Sequence, residues 1–157
     1  MLKDKTIRGF YNGEVEYDSF IEEVKRLDGE GYGTYIGTDS QQFKNKVAIV
    51  TCVCFYKNSC GSQIFYIKER VDKKLMPTLR SRILHEAYRS IEAAIDLDPI
   101  ISGKLTVHLD IGSNAQKCKT AKFSKELQIL VKSQGFGCEI KPNSWAACSI
   151  ADRFTKS

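Results

Sequence analysis

Four carboxylates in this 157-residue chain occupy settings that can bring them around one hard cation. Asp39 closes the run TYIGTD, Glu86 lies in RILHEAYRS, Asp110 closes LTVHLD, and Asp152 lies in SIADRFTKS. The local patterns put Asp39 and Asp110 at strand ends, and Glu86 and Asp152 on helices. Magnesium or manganese takes such oxygen ligands and keeps waters free for a phosphate substrate. Paired ions can stabilise the attacking and leaving oxygens of an in-line displacement at phosphorus. The chemistry implied is phosphodiester hydrolysis. Asp39, Glu86, Asp110 and Asp152 would be its catalytic and metal-binding residues, with Mg²⁺ or Mn²⁺ as cofactor.

Each acid also has a plainer role open to it. Asp39 and Asp110 precede turn-like residues, where Asp is favoured for its own sake. Glu86 sits at the edge of an apolar stripe rather than opposite it, which favours a ligand over a solvated glutamate. Asp152 can pair with Arg153 or Lys156 instead. Ser40 and Gln41, directly after Asp39, are candidate contacts to metal or phosphate. Lys141, just before Pro142, would emerge at the same sheet end and reach a phosphate. Lys117, Lys119, Lys122, Lys125 and Lys132 recur along one helical segment, either as a solvated face or as a stripe tracking a nucleic-acid backbone; Lys122 and Lys125 are the strongest substrate-binding candidates. His108 shares the strand face of Asp110 and is expected to pack rather than shuttle protons. Trp145, the single tryptophan, is expected to pack between helix and sheet.

The elements that must position these groups follow from period. Residues 17–27 carry Phe20, Ile21 and Val24 at helical spacing, ended by Gly29, Gly31 and Gly33. Residues 35–39, 47–57 and 63–71 read as strands, separated by turns at 41–46 and 58–61, so they form an antiparallel meander. After Pro77 the period changes: Leu79, Ile83, Ala87, Ile91, Ala94 and Ile95 make a helical stripe that Asp98-Pro99 ends. A strand at 105–111, a helix at 117–133, a short strand at 136–140 and a helix at 145–154 complete the chain. A meander followed by αβαβ predicts one mixed sheet of order 3-2-1-4-5 with helices on its faces. Parallel pairing of the first and fourth strands then brings Asp39 beside Asp110, within about 4–6 Å, at the carboxyl ends where open α/β sheets place their sites.

This element order, with acids at these four places, resembles the ribonuclease H-like fold, an α/β three-layer architecture. The strings IGTDSQ, VHLDIG and IKPNSWAACSIADRFTK resemble the YkuK family, small bacterial proteins of that superfamily. The resemblance runs from Tyr17 to Lys156. It implies that Asp39 is the first-strand acid, Glu86 the first-helix glutamate, Asp110 the fourth-strand acid and Asp152 the last-helix acid. It also implies a metal-dependent nuclease, with a non-catalytic nucleic-acid or protein-binding module on the same fold as the rival. A nucleotide-using enzyme is disfavoured, because no phosphate-cradling glycine loop follows the first strand and Gly31-Tyr32-Gly33 precedes one.

Composition sets the outer limits. The length suits a single domain spanning residues 1–157, with residues 1–30 as an N-terminal extension bearing a short helix. Net charge is +5, which permits a polyanionic partner such as RNA, DNA or a hybrid without requiring one. The first twenty residues have no apolar run and so predict no signal peptide. The most apolar stretch, residues 47–56, is too short for a bilayer, which takes about 20 residues. The six cysteines contain no CxxC pair and the two histidines are too few for Cys/His zinc, so reduced thiols in a cytoplasmic protein are expected.

Overall fold

The computed structural model describes residues 2–112 and 120–156, Lys122 by its backbone alone. Seven strands form one mixed sheet of order β2-β1-β5-β4-β3-β6-β7. They are β1 (Ile7–Gly9), β2 (Gly13–Val15), β3 (Gly33–Phe43), β4 (Lys46–Lys57), β5 (Gly61–Asp72), β6 (Leu105–His108) and β7 (Gly137–Glu139). The helices are α1 (Tyr17–Gly29), α2 (Leu79–Leu97), α3 (Ala121–Ser133), and a π-helical segment, Ala146–Ala151, that runs into α4 (Asp152–Thr155). The expected order 3-2-1-4-5 is present as β5-β4-β3-β6-β7. The expected five strands become seven, because residues 1–30 also contribute the β1–β2 hairpin, which pairs with β5. Two three-residue strands around Gly9 and Gly13 are too short to show alternation.

β4 explains the layering. It is buried continuously from Val47 to Phe55, as a strand covered on both faces must be. On one face, Ile36, Val53, Phe55 and Val107 pack against Phe20 and Val24 of α1, Ala87 and Ile91 of α2, and Leu127 and Val131 of α3. On the other, Val50, Cys52 and Cys54 pack with Ala146 and Ala151, flanked by Tyr35, Tyr66, Trp145 and Phe154. α2 begins at a reciprocal cap: Thr78 accepts from the Ser81 amide at 3.1 Å while Ser81 Oγ accepts from the Thr78 amide at 3.0 Å. The five described cysteines are free thiols, and Cys118 lies outside the described residues with Lys117 and Lys119. No helix among the described residues is long and apolar enough to cross a membrane.

Two strand boundaries depart from expectation in a way that matters for the site. β3 does not end at Asp39 but runs on to Phe43, with Gln41 and Gln42 paired to Ala48 and Val47. Their polarity reads as a turn, yet the reversal is confined to Lys44 and Asn45, with Lys44 at φ 52°. β6, by contrast, stops at His108, opposite Gly37. The antiparallel β3–β4–β5 arm therefore projects beyond its parallel neighbour, and Asp39 sits where that neighbour ends.

The terminal helix lies almost on the β3 backbone. A β-carbon on Gly37 would fall 2.4 Å from the Ala147 nitrogen and 2.6 Å from the Ala146 carbonyl carbon. Only glycine admits this approach. Gly37→Val should therefore cost at least about 1–3 kcal/mol, as overpacking does, measured by urea denaturation. Unchanged stability would mean that the terminal helix does not rest on β3.

Candidate metal centre

Asp39 and Asp110 share one face of the sheet with Gly37 and His108, because side chains two apart on a strand point the same way. Asp39 is 6% exposed, in the ladder opposite Val50. Asp110 follows β6, and two backbone bonds hold its segment: Leu109 N–H donates to Glu139 O, and Lys141 N–H donates to Ile111 O, each at 2.9 Å. Glu86 arrives from α2, on the opposite face. Its Oε2 accepts from Ser40 Oγ, and Arg82, one turn earlier on α2, donates to the Ser40 carbonyl at 2.9 Å and to its hydroxyl at 3.3 Å. Glu86 and Asp110 line the same small cleft, with Thr38, Ser90 and His108. The truncation of β6 lets acids from the two faces meet around its end.

Their mutual influence is strong. Burial pushes the Asp39 carboxyl up to about 9, reinforced by the charges of Glu86 and Asp110 and by hydrogen bonding with Asp110 and Asp152. Burial likewise raises Glu86 to about 8; the Asp110 charge adds to this, and the Ser40 hydroxyl and Arg82 oppose it. Burial acts on Asp110 too, but the Cys148 thiol and the Lys141 ammonium outweigh it and lower its pKa. The pair therefore keeps its proton on Asp39 and its charge on Asp110. Cys148 Sγ donates to Asp110 Oδ1 and Lys141 Nζ lies against the same oxygen, both at 3.1 Å. Asp152 is bound at 3.0 Å by Lys156.

These residues fit a hard cation in kind, and the fit is incomplete in geometry. The donors are carboxylate oxygens whose crowded charge a divalent ion would relieve. Among the described residues, however, no three His, Cys, Asp or Glu side chains are gathered as a ready ligand set. Oxygens of Asp110, Glu86 and Asp152 are bonded to Lys141, Ser40 and Lys156 respectively. A cation would take the place now held by the lysine ammoniums.

The other sequence candidates fall as follows. Ser40 positions Glu86, and Gln41 accepts from Thr155 Oγ1 at 3.3 Å, tying β3 to α4. Lys141 reaches Asp110. Lys125 is exposed on α3, which packs on the face opposite Asp39; the Lys122 side chain lies outside the described residues. His108 is buried and its Nδ1 accepts the Ala146 amide at 3.1 Å, so burial depresses it to about 4 and it stays neutral. Trp145 packs against Tyr35, His108 and Tyr56. Sequence reasoning missed Arg82 and Cys148. Arg82 stands four residues before Glu86, a helical spacing that places it on the acid's side; Cys148 reaches Asp110 from a π-helical segment, and no spacing in the sequence signals it.

Residues 17–156 match the ribonuclease H-like family, and the chain belongs to it. It is similar to the protein YkuK of Bacillus subtilis (strain 168), itself described as uncharacterized, with 30% identity over 94% of this chain and 96% of that one. No solved structure matches significantly.

Acids whose pKa is raised by folding bind protons that the unfolded chain has released. Asp39 and Glu86 then contribute stability at about pH 4 that is lost as the pH rises through about 8 and 9. In EDTA, the urea stability of the wild type should fall across that range more steeply than that of Asp39→Asn. Parallel profiles would show that the carboxylates do not repel one another.

Proposed function

We propose that this protein is a divalent-metal-dependent phosphodiesterase acting on nucleic acid. The observation that supports the reading is the cleft that Glu86 and Asp110 line together, with the charges of both acting on the buried Asp39. Such a cluster of buried acids is costly unless a cation occupies it. Mg²⁺ or Mn²⁺, held by Asp39, Glu86 and Asp110 with Asp152 at the margin, would polarise the phosphate and lower the pKa of an attacking water.

The chain's own contributions are positional. Arg82 fixes Ser40, and Ser40 fixes Glu86, so that carboxylate is held in place. The backbone bonds on either side of Asp110 hold it at the sheet edge. Lys141 stands ready to move from Asp110 to a phosphate oxygen once the carboxylate is otherwise neutralised.

A second reading is a non-catalytic nucleic-acid or protein-binding module on the same fold. It is favoured by the Lys141–Asp110 and Lys156–Asp152 pairs, which already compensate two of the acids.

Asp39→Asn keeps the shape of the side chain and removes its ligand charge. It should reduce cleavage of RNA, DNA or hybrid by at least about 10²-fold, the scale of losing one electrostatic contact to a transition state, while leaving oligonucleotide affinity nearly unchanged. Mn²⁺ or Mg²⁺ at millimolar concentration should raise the melting temperature of the wild type more than that of the variant. Absence of cleavage with every substrate and either metal, together with no heat of metal binding, would select the binding module.

A further inference from the structure

The β3–β4–β5 arm carries a basic groove on the same sheet face as Asp39. Cross-strand register lays this face out in rows: Asp39, Val50 and Lys68; then Gln41, Ala48 and Arg70; then Phe43, Lys46 and Asp72. The terminal helix covers the first row and reaches the second through Thr155, which donates to Gln41; in the third row Phe43 and Lys46 are exposed. There lies a groove of about 580 Å³ bordered by Phe43, Lys44, Lys46, Lys68, Arg70 and Lys156, with no acidic side chain in its lining. Lys44, Lys46, Arg70 and Lys156 are exposed, and the proximity of Arg70 adds to burial in lowering the Lys68 pKa. Phe43 at the mouth is 59% exposed.

We infer that this groove binds a single-stranded polynucleotide and leads it to the acids, an inference that rests on the phosphodiesterase reading. Cations interleaved with an aromatic ring are the elements of single-strand binding, in which charges follow the backbone and rings stack on unpaired bases. An exposed phenylalanine between Gln42 and Lys44 has a free face for a base and no hydrogen-bonding group to select one. Asp39 lies four residues from Phe43 on the same strand, about 14 Å away at the rise of a β-strand. A strand stacked at Phe43 and held by Lys46 and Arg70 would therefore run along the strand face that carries Asp39, with Lys156 between groove and acids. Lys156 touches both regions: it borders the groove and pairs with Asp152.

The test is fluorescence anisotropy with a labelled single-stranded RNA, and separately DNA, of about 15 nucleotides, in EDTA so that nothing is cut. The proteins are wild type, Lys46→Ala/Arg70→Ala, Phe43→Ala, and Lys25→Ala on α1 as control, each checked for an unchanged melting temperature. The double variant should bind at least about tenfold more weakly, and its log–log salt slope should be shallower by about 1.4, two single-strand phosphate contacts. Phe43→Ala should lose about tenfold with the slope preserved. Lys25→Ala should match the wild type, and the duplex of the same sequence should compete less well than the single strand. Unchanged affinity and slope in the double variant, or a wild type that binds neither strand, overturns the groove. If cleavage nevertheless depends on Asp39, the phosphodiesterase reading survives that result. Groove-dependent binding without any cleavage leaves the groove standing and removes the phosphodiesterase.

Discussion

The contact of the terminal helix with Gly37 is the constraint on which the site depends. A bare backbone at Gly37 lets Ala146 and Ala147 approach β3 more closely than any side chain permits. Four contacts follow from that one approach. The Ala146 amide reaches His108 Nδ1, which ties the helix to β6 as well as β3. Cys148 falls on Asp110, and Thr155 on Gln41. Asp152 comes within reach of Asp39. The π-helical turn that carries this segment is consistent with the tight fit, since such turns collect at functional sites.

The charge balance of the site is deliberately uneven. Ordinary cores hold buried carboxylates only when each has a partner. Here Asp110 has the Lys141 ammonium and the Cys148 thiol, and Glu86 has the Ser40 hydroxyl, whereas the charged groups that dominate around Asp39 are other acids. The result is a carboxyl that prefers to be neutral, which on the proposed reading a bound cation would reverse. Lys141 and Lys156 compensate the neighbouring Asp110 and Asp152, and on the proposed reading they would turn toward an incoming phosphate.

Much of this was legible in the sequence, and the failures have physical causes. Helical stripes such as Ile83, Ala87, Ile91 and Ala94 declare a buried face, and the β-branched and aromatic run of β4 declares a long strand. The pairing of β3 with β6 followed from the αβαβ tail, and with it the adjacency of Asp39 and Asp110. The β1–β2 hairpin was missed because three-residue strands have no period to detect. The end of β3 was misplaced because Gln41, Gln42 and Lys44 look like a turn. They are polar because the sheet there leaves both its parallel neighbour and its helical cover. That single error also hid the basic groove, since Lys46, Lys68 and Arg70 come together only when the register of three strands is known. The lysines of one helical segment, by contrast, show as a cluster in the sequence itself.

The extension of β3 past β6 gives recognition and chemistry a common frame. Where β6 stops, the sheet has an edge at which acids from both faces can meet. Where β3, β4 and β5 continue, the same face becomes an arm bearing cations and an exposed ring. Because Asp39 and Phe43 belong to one strand, their separation is set by the rise of the backbone and not by loop conformation. A ligand held on the arm is therefore registered to the carboxylates by the most rigid element of the fold, as a precise site requires. On the proposed reading the two ends of this strand face would divide the work: the cations would attract the polyanion, and the acids would admit a phosphate once a metal ion is bound. Metal and polynucleotide would then depend on one another at the acid end, while the basic end would hold its strand whether or not metal is present.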